Sequence, residues 1–119
     1  MVCRNSSCRD STVSYKTYNF SYLLCLSAYL RSGHYNVLTV DWSSLVYGFY
    51  SSAREEAHGV GDYLGQVLRL FVYEKLIDPK KLHLIGHSLG AHVVGFAGKR
   101  AHQDGWGVLR ITGKFSVFI

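Results

Sequence analysis

Leu84-Ile85-Gly86-His87-Ser88-Leu89-Gly90-Ala91-His92 is the stretch whose reading decides the fold. It continues a short apolar run, Lys81-Leu82-His83-Leu84-Ile85-Gly86, and opens onto the small and apolar residues Ala91, Val93, Val94, Phe96 and Ala97. A Gly-x-Ser-x-Gly pattern between a strand and a helix is the signature of a tight turn that lifts a serine clear of a sheet. The spacing predicts a strand over 81–86 and a helix over 89–101. Ser88 is the candidate nucleophile. Gly86 and Gly90 are expected to lack side chains because strand and helix must approach closely around a strained serine backbone. The helix beginning at Leu89 turns its positive end toward the serine, so the Leu89 N–H is a candidate oxyanion donor.

Working outward, Asn36-Val37-Leu38-Thr39-Val40-Asp41-Trp42 is β-branched and nearly continuously apolar, as a strand buried on both faces would be. Between the two strands, Val60, Leu64, Val67, Leu68 and Phe71 recur at intervals of three and four, which predicts a helix over about 53–76. Gly59, Gly61 and Gly65 lower its helix propensity and suggest close packing against a sheet. Asp78-Pro79 ends that helix. A further helix is expected over 20–31, stopped by Ser32-Gly33, a turn over 105–107 and a third strand over 108–112. Strands alternating with helices imply right-handed crossovers and a parallel sheet. The fold class is therefore α/β, with about three core strands. Residues 1–19 read as a polar, flexible lead and 20–119 as one domain.

Composition excludes several other classes. The chain has 119 residues, 48% hydrophobic and 18% charged, which suits one small globular domain. No run approaches the ~20 apolar residues of a membrane span. Thirteen Lys and Arg against eight Asp and Glu give a net charge of +5, but the basic residues are scattered, and nucleic-acid binding is not expected. Cys3, Cys8 and Cys25 fit no common metal spacing, although Cys3–Cys8 is a possible bridge in an oxidising compartment. No cofactor or metal is expected. Asn5-Ser6-Ser7 and Asn19-Phe20-Ser21 are glycosylation acceptors in a secreted chain, yet the first residues show no signal peptide.

Residues 81–99, with Ser88 at their centre, resemble the nucleophile block of the animal pancreatic-type lipases, which include secreted phospholipases A1 and insect relatives. Residues 36–43 resemble that family's preceding strand, Tyr50, Ala53 and Val60-Gly61 the start of its next helix, and Arg110-Ile111-Thr112-Gly113 its following strand. The resemblance implies a partial α/β-hydrolase, a lipid ester substrate met at an interface, an extracellular location, Ser88 as nucleophile and Leu89 as oxyanion donor. It also implies an acid and a histidine C-terminal to Ser88. Phe115 stands where the resemblance places the acid, and no residue answers to the histidine or to the second oxyanion loop upstream. The expectation is a truncated, catalytically incomplete lipid-ester hydrolase. A non-catalytic lipid-binding or yolk-protein-like relative on the same scaffold is the alternative. Triglyceride or phospholipid preference and oligomeric state have no signal in the sequence.

Overall fold

The computed structural model describes residues 2–4, 20–42 and 50–114. In chain order the elements are β1 (Val2–Arg4), α1 (Phe20–Ser32), β2 (Tyr35–Val37), α2 (Tyr50–Tyr73), β3 (Leu82–His87), α3 (Leu89–Gln103) and β4 (Arg110–Lys114). A 3₁₀ turn, Pro79–Lys81, leads into β3; Asp78 caps it by accepting a hydrogen bond from the Lys80 N–H at 2.9 Å. The strands form one sheet in the order β2-β1-β3-β4.

β3 and β4 are parallel, with His83 opposite Arg110 and Gly86 opposite Gly113. β1 runs antiparallel to both of its neighbours, β2 and β3. Two successive reversals leave β2 pointing the same way as β3 and β4. The α/β order expected from the sequence is therefore present, but the parallel pairing is direct only between β3 and β4. Two expectations are corrected. Residues 1–19 were expected to be a loop, yet Val2–Arg4 is a strand inserted between β2 and β3. The strand expected over 36–42 is regular only through Val37, after which the backbone leaves the ladder. The cysteine bridge, the glycosylation triplets and Phe115 fall on residues outside the description or on side chains outside it.

Alternation along β3 divides the layers. Leu82 and Leu84 are 0% and 1% exposed and face α2 and α3, while His83 turns to the opposite face, where its ring meets Tyr29 of α1 edge-on at 6.3 Å. The core joins Ala57, Leu64 and Leu68 of α2 to Val93, Val94 and Ala97 of α3 over those two strand leucines. Complete burial of Leu68, Leu82 and Leu84 stabilises the fold by roughly 2 kcal/mol for each side chain.

The helix glycines have a partner other than the one expected. A Cβ on Gly61 would lie 2.5 Å from the Phe96 Cβ and 2.6 Å from the Val93 carbonyl oxygen, and one on Gly65 would lie 2.7 Å from the Arg100 Cβ. These glycines seat α2 against α3, not against the sheet. Along the same seam the Arg100 guanidinium donates to both Asp62 oxygens, at 2.9 and 3.1 Å, and through Nε to Asp104 at 3.1 Å. That pairing holds the Asp62 carboxyl below its usual range and raises Arg100.

Gly59 has open space around its α-carbon. Gly59→Ala should therefore raise stability by about 0.5–1 kcal/mol through helix propensity. Gly61→Val should lower it by about 2–3 kcal/mol by forcing the helices apart. Urea unfolding midpoints with an unchanged slope would establish both signs.

Candidate active site

β3 ends at His87 and α3 begins at Leu89, so the whole reversal from strand to helix falls on Ser88. Its backbone takes φ 54° and ψ −122°. Among the described residues only Lys75 shares a positive φ without being glycine. Such a conformation costs of order 1–3 kcal/mol and persists only where the surroundings enforce it.

Two contacts enforce it here. The Ser88 N–H donates to the Lys114 carbonyl at 2.8 Å, which fixes the turn to the end of β4. The Ser88 carbonyl accepts from the Ala91 N–H at 3.0 Å and begins α3. Underneath, β3 and α3 nearly touch. A Cβ on Gly86 would collide with the Gly90 carbonyl and would lie 2.8 Å from the Ala91 Cα. Across the strand pair, Gly113 brings β4 under the same helical turn, where a Cβ would lie 3.0 Å from that of Ala91. The steric need expected of both motif glycines falls on Gly86 alone, because a Cβ on Gly90 would have nothing within 4 Å.

The product of this geometry is an exposed serine. Its hydroxyl does not cap α3. Leu89, at the first helical position, has an N–H with no intrahelical acceptor. A hydroxyl raised on a sharp turn beside first-turn amide groups can attack a carbonyl and leave the resulting oxyanion near a positive helix end.

Of the histidines and carboxylates, some lie far from it and two lie close by in sequence. His83 sits five residues back along β3, roughly 17 Å from the turn at strand rise. Its Nε2 is 2.9 Å from the Thr112 Oγ1, and burial, followed by the Arg110 charge, lowers its pKa. His58 packs edge-on against Phe96 at 4.5 Å between ring centres. His87 is exposed beside Ser88, and His92 lies within the first turn of α3; both take part in interactions of their own. Asp104 closes α3 at the opposite end of the sheet, on Arg100. Asp41 follows β2, beyond the point where the backbone leaves the ladder, and takes part in an interaction of its own.

Two features had no sequence signal. The β4 carbonyl that holds the turn is a backbone group with no residue signature. The Oε2 atom of Glu56 in α2 is buried without a hydrogen-bond partner, as is the Nε1 atom of Trp106. No group of three or more His, Cys, Asp or Glu able to hold a metal occurs among the described residues. No described helix is long and apolar enough to cross a membrane.

Comparison with known proteins adds a lineage to this geometry. The profile of the family described as Lipase matches residues 18–115. Phospholipase A1 of Vespa basalis is 35% identical over 105 residues, which are 81% of this chain and 34% of that protein. Phospholipase A1 1 of Vespa affinis is 33% identical over 108 residues, 83% of this chain and 30% of that protein. Inactive pancreatic lipase-related protein 1 of Homo sapiens is 41% identical over 78 residues, 66% of this chain and 16% of that protein. The chain thus spans about a third of the length, or less, of these curated relatives. No solved structure matches.

The asymmetry between the two motif glycines can be measured. Gly86→Ala should cost about 3 kcal/mol or more, because the clash is with backbone on both sides. Gly90→Ala should change stability by less than about 1 kcal/mol. Thermal unfolding of the two variants decides between this arrangement and one in which both glycines matter equally.

Proposed function

The chain belongs to the Lipase family, of the pancreatic type, and on that premise we propose that it carries the nucleophile of a lipid carboxylic-ester hydrolase. Ser88 is the attacking residue, and the Leu89 N–H is one of the donors to the oxyanion. The observation that carries the reading is the Ser88 backbone at φ 54° with its hydroxyl exposed between β3 and α3. Attack of the Ser88 Oγ on an ester carbonyl forms a tetrahedral oxyanion, which collapses to an acyl-serine and releases the alcohol or lysolipid; water then frees the acid. The Leu89 amide is aimed at the oxyanion, where charge develops.

The attack also needs a base within hydrogen-bond reach of the hydroxyl. His83 is engaged with Thr112 and His58 packs on Phe96, so neither of these two is placed to be that base. Removing triad members from a serine hydrolase typically leaves a small residual rate from oxyanion stabilisation and binding. Substrates are lipid esters at an interface, in an extracellular setting, as the family resemblance implies.

A second reading is a lipid-binding protein on this scaffold without turnover. One of the matched relatives has "inactive" in its own name, which is compatible with that outcome.

A fluorophosphonate probe separates the two readings. The expected result is a slow adduct located on Ser88 by mass spectrometry, abolished by Ser88→Ala and by unfolding. An intact phospholipase A1 relative should label faster by orders of magnitude. Absence of any Ser88 adduct on the folded chain, with the relative labelled alongside, would sink the hydrolase assignment. Lipid binding that survives Ser88→Ala without turnover would establish the second reading.

A further inference from the structure

On the sheet face turned away from α2 and α3, one titratable side chain joins three elements. His83 of β3 is half-buried, and its Nε2 lies 2.9 Å from the Thr112 Oγ1 of β4. Its ring meets Tyr29 of α1 edge-on at 6.3 Å, and Tyr29 meets Tyr35 of β2 edge-on at 5.9 Å. α1 packs mainly on β2, so the Tyr29–His83 contact carries it across to β3. No described residue of α1 belongs to the core that joins α2 and α3 to the sheet. The charges acting on the imidazole are both positive: Arg110, directly opposite on β4, and the amino-terminal ammonium. Among the described residues no carboxylate offsets them. Tyr29 and Thr112 meet the ring as neutral groups, and Val2 of β1 lies opposite His83 on its other side. Arg31 of α1, His34 before β2 and His87 at the end of β3 are exposed.

We propose that His83 is an acid-sensitive latch, which holds α1 on the sheet while neutral and releases it when protonated. A neutral imidazole satisfies Thr112 with one nitrogen and brings no charge into the layer. Protonation makes both nitrogens donors, so the ring needs one more acceptor than Thr112 provides, and it sets a cation opposite Arg110. Tyr29 compensates little, since at 6.3 Å its ring lies beyond the roughly 6 Å at which an aromatic face stabilises a cation. Admitting water to the imidazole relieves both costs, and α1 is the cover that moves, because the core does not hold it. Burial, followed by the Arg110 charge, keeps the His83 pKa below its ordinary value of 6.5. The fold therefore prefers the neutral ring. That stabilisation is complete above pH 6.5 and is lost as the pH falls through 6.5 toward the lower folded value. The opening is local. Leu82 and Leu84 face α2 and α3 from the other side of β3 and stay buried, so the nucleophile turn keeps its supports. The latch does not depend on Ser88 being reactive.

Amide hydrogen exchange of the full chain tests the proposal, expressed as protection factors so that the intrinsic pH dependence of exchange cancels. Between about pH 7.5 and about pH 5, protection in α1 should fall by about threefold or more, while protection in α3 stays within about twofold. The loss in α1 should begin near pH 6.5 and level off below the midpoint of the His83 ring titration, followed by NMR in the same protein. His83→Gln is uncharged at every pH and still able to bond Thr112, and it should leave α1 protection flat across the range. Arg110→Gln should raise the His83 midpoint and shrink the loss in α1. The parent titration and Arg110→Gln decide the matter even if His83→Gln does not fold. Constant α1 protection in the parent, a loss unrelated to the His83 titration, or α1 and α3 losing protection together would overturn the proposal. So would a pH response that survives His83→Gln, which would assign it to another group such as the exposed His34 between α1 and β2.

Discussion

A single backbone hydrogen bond, from the Ser88 N–H to the Lys114 carbonyl, ties together the elements on which the rest of the structure depends. A strand ending at His87 cannot enter a helix at Leu89 without one residue taking most of the reversal. That residue is Ser88, left-handed in φ. The conformation is unfavourable in isolation. It is held because β4 accepts the amide proton from one side while Gly86 lets the first turn of α3 sit directly on β3 from the other. The strain and the exposure of the hydroxyl thus have the same cause. A smoother path from strand to helix would lower the strain and bury or redirect the oxygen.

For that turn to stay in place, α3 must not shift along the sheet, and the layer above supplies the restraint. Gly61 and Gly65 bring α2 within backbone distance of α3, and Arg100 bridges Asp62 on one helix to Asp104 at the end of the other. Gly98 adds the contact beneath, since a Cβ there would strike the Ile111 side chain of β4. Glycines in helix interiors sacrifice local propensity. Here the cost is offset by the close approach of three elements that all bear on Ser88.

Much of this arrangement was legible from residue patterns. Local signals sufficed where an element is amphipathic or strongly bounded: the stripe Val60, Leu64, Val67, Leu68 and Phe71 reports α2, Asp78-Pro79 its end, and Gly86-x-Ser88-x-Gly90 the turn. Features set by tertiary contact were not legible. Val2–Arg4 is too short to carry a period, and its place between β2 and β3 is a pairing choice. Leu38 to Trp42 continue the β-branched composition of β2, but the ladder stops at Val37 because β1, its partner, spans only three residues. The roles of the two motif glycines differ because Gly90 faces open space while Gly86 faces Gly90's own carbonyl, a distinction spacing cannot make. Likewise, alternation put His83 on a strand but could not show that Thr112, not Ser88, is its partner.

Chemically, the proposed roles of Ser88 and Leu89 both rest on the shape of the turn between β3 and α3. The central physical claim is that Ser88 sits in a glycine-like conformation, and stability reports on it directly. The decisive measurement is the unfolding free energy of Ser88→Gly relative to Ser88→Ala. With φ at 54°, glycine should be the more stable by about 1 kcal/mol, since it alone adopts that region without strain. If alanine is instead the more stable by about 1 kcal/mol, as within an uninterrupted helix, the raised turn does not exist and the account fails.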